Sequence, residues 1–134
     1  MKFNELFIGQ SAGTEKKFSY DEVYNFSKLN NDSNPIHLNH EYASNTIFGQ
    51  CIVHGMLVGS LISSVLGMQL PGPGSVFLEQ HLKYLKPVFL NESVRVLCTV
   101  KELVWDKSIV VLDTLCMKKS DELVITGYAV MKVF

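Results

Sequence analysis

Charge is missing from the middle of this 134-residue sequence: none of its 12 Lys+Arg or 13 Asp+Glu residues lies between Tyr42 and Leu78. Within that gap, Cys51 to Leu70 approaches the ~20 residues of a transmembrane helix, and Gly55 and Gly59 form a GxxxG pair. A membrane span is nonetheless a poor fit. His54, Ser60, Ser63, Ser64 and Gln69 would sit in hydrocarbon, and no Lys or Arg flanks either end. The expected alternative is a helix buried on nearly all sides in a soluble core, its glycines allowing close backbone approach.

Cysteine is scarce too. Cys51, Cys98 and Cys116 are odd in number, far apart and without a CxxC, so neither a disulfide framework nor a zinc site is suggested; buried thiols in a reducing compartment are expected. A net charge of −1 leaves no basic excess for nucleic acid or an anionic membrane. The only early apolar run, Leu6-Phe7-Ile8, is too short for a signal-peptide core, so a cytoplasmic location is expected. No Gly-rich phosphate loop, HExxH, GxSxG or internal repeat is present. What remains is one domain, residues 1–134, whose 47% hydrophobic content is enough to build a core without staples.

The pattern changes period along the chain. Ser11 to Phe18 reads as a strand, and Ser19-Tyr20-Asp21-Glu22 is a capping box that starts a helix. Tyr20, Val23, Phe26 and Leu29 then form an apolar stripe that ends in the Asn-rich segment before Pro35. A short helix is expected over Asn39 to Ser44 and a long one from about Ile52 to Met68, stopped by Pro71-Gly72-Pro73-Gly74. From Ser75 the residues alternate, with Val76, Leu78, Leu82 and Tyr84 on one parity. Glu92 to Val104, Ser108 to Met117 and Leu123 to Val133 complete four strands, and their short connections suit antiparallel hairpins. The expected architecture is α+β: one antiparallel sheet curled around one long helix.

Two places carry chemistry. In Asn30-Asn31-Asp32-Ser33-Asn34-Pro35-Ile36-His37 a carboxylate and an imidazole lie five residues apart in a loop, where they can converge on one water as acid and base. The alternative is structural: Asp32 and Asn34 as turn formers, His37 as a helix-end residue. In Val53-His54-Gly55-Met56 the long helix begins, and the Gly55 amide, unobstructed by a side chain, is placed to bind a carbonyl oxygen that becomes negative during reaction. Gly55 alone also reads as close packing, and His54 alone as a satisfied interior histidine.

Together these residues resemble the MaoC-like hydratases, also called R-specific enoyl-CoA hydratases or hydratase 2. The resemblance rests on Asn31-Asp32-Ser33-Asn34-Pro35-Ile36-His37, Tyr42-Ala43, Ile52-Val53-His54-Gly55-Met56-Leu57 and Leu70-Pro71-Gly72-Pro73-Gly74-Ser75, in that order. It implies the hot-dog fold, with the sheet wrapped around the long helix. It further implies that Asp32 and His37 hold the reacting water, that the Gly55 amide binds the thioester carbonyl, that Asn34 braces the loop, and that Ser63 and Leu66 face the acyl chain. One departure stands out: relatives usually carry Ser-Gly before the aspartate, where this chain has Asn30-Asn31. Asn is the residue other than glycine that best tolerates a left-handed backbone, so the turn is expected to survive.

The implied reaction is reversible hydration of trans-2-enoyl-CoA to (R)-3-hydroxyacyl-CoA, with no metal or redox cofactor and coenzyme A as the substrate's carrier. A homodimer is implied, for which Val110, Leu112 and Leu115 offer a pairing edge, and Lys83, Lys86, Arg95 and Lys101 are candidates to meet nucleotide phosphates. Rival readings are a 3-hydroxyacyl-carrier-protein dehydratase, a hot-dog thioesterase, and a non-catalytic acyl-binding module.

Overall fold

The Ser19 capping box forms as its sequence requires. In the computed structural model, which describes residues Met1–Phe134, the Glu22 amide donates to Ser19 Oγ at 3.2 Å and the Ser19 amide donates to Glu22 Oε1 at 3.0 Å. This opens helix α1 (Tyr20–Asn30), preceded by strand β1 (Ser11–Lys17). Asn31 ends it with φ of 64°, the left-handed turn that its position before Asp32 calls for. The apolar stripe is only half used. Val23 and Ser27 are buried on α1, whereas Leu29 is 81% exposed, because the helix touches the core through a single turn.

Two short helices follow, α2 (Pro35–Leu38) and α3 (His40–Ser44), each capped by an asparagine. Asn34 Oδ1 accepts from the Ile36 amide at 3.1 Å, and Asn39 Oδ1 from the Tyr42 amide at 2.9 Å. Helix α2, with Pro35 at its first position, is not foreseen by the sequence pattern. The long helix α4 (Gly55–Met68) starts three residues later than Ile52. Ile52 and Val53 are instead extended, Ile52 bridging to Phe89 and the Val53 amide donating to the Val88 carbonyl at 2.7 Å.

Strands β2 (Ser75–Tyr84), β3 (Ser93–Val104), β4 (Ile109–Lys118) and β5 (Leu123–Val133) join β1 in one antiparallel sheet of order β1-β3-β4-β5-β2. Only β3, β4 and β5 form the simple meander. The segment between β2 and β3, with Pro87 inside it, cannot make a tight hairpin, so β2 pairs with β5 at the far edge. Two expectations change as a result. Val110 and Leu112 lie on central β4, fully buried against α4's side of the sheet, so with Leu115 they form no pairing edge; the edges are β1 and β2. The strict alternation in β2 is also broken by a bulge between Phe77 and Glu79, which leaves Val76, Phe77 and Leu78 all exposed.

The core lies between the sheet's inner face and α4, where Val58, Ile62, Val65 and Leu66 are 2% exposed or less. Burying each such side chain contributes about 1.5–3 kcal/mol. Helix α4 is not enclosed on nearly all sides, as its lack of charge suggested. Met56, Ser60, Ser63, Ser64 and Met68 are exposed along one face, because a five-stranded sheet covers only the other. The three cysteines are free and buried, and burial pushes the thiols of Cys98 and Cys116 up to about 12.

Leu112→Ala should therefore cost about 2–5 kcal/mol in denaturant unfolding, while Leu29→Ala should stay within about 0.5 kcal/mol of wild type.

Candidate active site

The loop from α1 to α2 is built from asparagine and aspartate side chains that bond their own backbone. The Asp32 amide donates to Asn30 Oδ1 at 2.9 Å, and the Asn34 amide donates to Asp32 Oδ1 at 3.2 Å. Asn34 thus holds the Asp32 carboxylate through its amide while its own side chain caps α2. The result is a half-exposed carboxylate whose free oxygen, Oδ2, looks toward α2.

His37 meets it there. Its Nδ1 lies 2.8 Å from the Ile52 carbonyl oxygen, and since a carbonyl only accepts, Nδ1 carries the hydrogen and Nε2 the lone pair. That Nε2 is 3.9 Å from Asp32 Oδ2, too long for a hydrogen bond and short enough for one water to touch both. Burial is the main influence holding the His37 pKa below the ordinary 6.5; the bond to Ile52 opposes it, neighbouring His54 reinforces it, and Asp32 opposes it weakly. The neutral imidazole is thereby the resting form at pH 7, a base with its lone pair toward the carboxylate.

Gly55 supplies a different kind of group. As the first residue of α4 it has no intrahelical acceptor, and neither its amide nor that of Met56 is hydrogen-bonded within the chain. These free donors sit at the positive end of a 14-residue helix. A Cβ at position 55 would lie 2.6 Å from Cε1 of the half-exposed Tyr84, so a larger residue would have to push that ring aside. Gly55 and Tyr84 also line an apolar pocket of about 340 Å³ with Ile52, Val58, Val88 and Lys86.

The structure brings Asp32, His37 and Asn34 together and leaves the Gly55 amide open at the adjoining helix end. Ser63 and Leu66 fall elsewhere. Leu66 is fully buried in the core, and Ser63, eight residues and about 12 Å along α4 from Gly55, lies in a shallow groove with Gly59, Phe77, Gln80 and Leu82. Of the basic candidates, Arg95 is paired with Asp121 and Lys101 with Asp113, while Lys86 alone lines the pocket beside Gly55.

One residue plays more than its expected part. His54, 2% exposed, stacks its ring on that of His37 with centroids 3.8 Å apart and planes at 22°. Its place as the one histidine in the charge-free stretch was the available signal. Asp32, His37 and His54 offer three metal-ligating atoms within 4.8 Å of one another. They do not fit a metal as arranged: the lone pairs of stacked imidazoles run side by side rather than converging, and His54 Nε2 is committed to the Asp32 carbonyl at 3.0 Å.

A curved antiparallel sheet packed on one long helix defines a hot-dog protein, here with a carboxylate–imidazole pair beside that helix's free amides. The MaoC like domain family model matches residues 4–119. Over 133 residues the chain is 42% identical to the (R)-specific enoyl-CoA hydratase of Aeromonas caviae, covering 99% of each. It is 40% identical over 131 residues to the (R)-specific enoyl-CoA hydratase of Rhodospirillum rubrum, covering 98% of this chain and 90% of that one. The solved (R)-hydratase from A. caviae involved in PHA biosynthesis superposes with a TM-score of 0.94 at 43% identity, covering 96% of this chain and 98% of that one. The chain belongs to the MaoC-like family.

The lowered pKa of His37 has a signed consequence. Below pH 6.5 the unfolded chain binds a proton that native His37 resists, so this residue's contribution to stability is full above 6.5 and declines as the pH falls below it. An NMR titration of the His37 ring should give a midpoint below 6.5; a midpoint at or above that value contradicts the assignment.

Proposed function

We propose that this protein catalyses the reversible addition of water across the double bond of a trans-2-enoyl-CoA to give the (R)-3-hydroxyacyl-CoA. The observation that carries the reading is the 3.9 Å approach of His37 Nε2 to Asp32 Oδ2 beside the unbonded amides that open α4. The similarity to hydratases over nearly the whole chain supports the same chemistry.

The thioester carbonyl accepts a hydrogen bond from the Gly55 amide, which draws electron density from the β-carbon. A water held between Asp32 and His37 loses a proton to the pair as its oxygen bonds to that carbon. The C=C π electrons move toward the thioester, giving an enolate whose negative oxygen faces the same amide. The pair then returns the proton to the α-carbon and is regenerated. Atoms balance with no redox or metal partner, and coenzyme A enters only as the carrier. Because Nδ1–H of His37 is held by Ile52, its Nε2 exchanges the proton while the ring stays in place.

Lys86 is the basic side chain best placed for the carrier's phosphates, being in the pocket that Gly55 lines. The protein acts as a homodimer in this reading. The edge strand β2, with Val76, Phe77 and Leu78 exposed beside the open face of α4, is the surface a second copy would cover. Ser63, exposed on that same side, would then contribute to the acyl pocket between the subunits.

Loss of crotonyl-CoA absorbance provides the assay. Asp32→Asn and His37→Gln should each lower kcat by about 10²–10⁴-fold, and the product should be the R enantiomer. Faster turnover of a carrier-protein thioester would move the reading to the dehydratase, and free thiol release would move it to a thioesterase. No wild-type hydration, undiminished activity in both variants or an S product would contradict it.

A further inference from the structure

His54 is wired to the catalytic loop in a way the proposed reaction does not use directly. Its Nε2 lies 3.0 Å from the Asp32 carbonyl oxygen and 3.1 Å from the buried Ser27 Oγ. The carbonyl can only accept, so Nε2 carries the hydrogen and shares it between the two oxygens. Nδ1 is buried and without a partner. The ring is clamped between Phe26, T-shaped to it with centroids 5.1 Å apart, and the face of His37.

Those contacts matter because of what else holds Asp32. Its amide and its Oδ1 bond only to Asn30, the last residue of α1, and Asn34, the cap of α2, each two residues away. The bond from His54 is the one hydrogen bond that ties Asp32 to a segment distant in sequence, 22 residues away. The same ring forms the wall on which the His37 imidazole lies, and its residue is joined covalently to Gly55. A merely space-filling residue would not leave an orphaned buried nitrogen, which costs about 1–3 kcal/mol. A phenyl or leucyl group would fill the volume without that penalty.

We propose that His54 is a positioning residue, an Nε2–H imidazole that pins the Asp32 backbone and backs the His37 ring so that both side chains meet one water. This rests on the hydratase reading for its kinetic meaning, though the wiring itself is independent of it. Displacing either group by even 1 Å would spoil the attack geometry, a loss on the order of 10²-fold in rate.

Gln and Asn at position 54 separate the donor from the bulk. Glutamine can extend its amide nitrogen to about where Nε2 stands, whereas asparagine's falls nearer Nδ1. With crotonyl-CoA, His54→Asn should lower kcat on the order of 10²-fold with KM changed by less than about 3-fold, and His54→Gln should recover most of the loss. Full kcat in His54→Asn, or an equal loss in both variants, would overturn the proposal. Nitrogen-15 NMR of wild-type protein gives a readout that needs neither turnover nor a folded variant: the ring should be protonated on Nε2 and bare on Nδ1, and the opposite tautomer would overturn the assignment. Should wild type fail to hydrate crotonyl-CoA, the hydratase reading falls while this one is still decided. The Asp32 and His37 resonances should then move in His54→Asn and return in His54→Gln, and resonances that stay in place would overturn it.

Discussion

The hydrogen bond from His37 Nδ1–H to the Ile52 carbonyl is half of a two-way pairing, since the Ile52 amide donates to the Ile36 carbonyl at 3.2 Å. Ile52 in turn bridges to Phe89, and the next amide, that of Val53, bonds to Val88. A loop with few apolar contacts is thereby fastened to the rigid segment that leads into α4. That single pivot sets three properties of the site. It selects the His37 tautomer, so the lone pair falls on Nε2; it buries the ring to 8% exposure, which keeps it neutral; and it puts the pair next to the amide end of the helix.

The helix end can serve only because of what lies behind it. Amides at an N-terminus bind a developing negative charge well when they are held still and poorly when they are not. Packing of Val58, Ile62, Val65 and Leu66 on the sheet, chiefly on β3, fixes the axis of α4, and the Tyr84 ring lies against Gly55. The absence of charge between Tyr42 and Leu78 serves this packing on one side of the helix. On the other side it leaves a face of small residues and methionines beside the exposed strand β2. An acyl chain or a second subunit can meet that face without stripping water from an ion.

Much of this was legible because the relevant signals are local. The capping box, the left-handed Asn31, the proline–glycine stop and the hairpins of the last three strands each depend on a few consecutive residues, and each stands where the sequence puts it. Nonlocal features were not legible. Whether Leu29 or Ser27 faces inward depends on how α1 is tilted against the sheet, and periodicity carries no information about tilt. The placement of Val110 and Leu112 in the middle rather than at an edge follows from β2 crossing to pair with β5. A bulge at Leu78 shifts the parity of half a strand without leaving a Gly or Pro to announce it. In the site itself Asp32, His37 and Asn34 could be read from spacing and resemblance. His54 stood out only as the one histidine in the charge-free stretch, and its contact with Asp32 was not legible, because it spans 22 residues and runs to a backbone carbonyl.

The central claim is that Asp32 and His37 act on one water as a unit, and a double-mutant cycle tests it most directly. Single-turnover rates with crotonyl-CoA should show Asp32→Asn/His37→Gln no slower than the slower single variant, within about threefold, because either loss already empties the shared position. Losses that multiply, so that the double variant is slower by the product of the two single effects, would mean that the residues act on separate steps and would contradict the account.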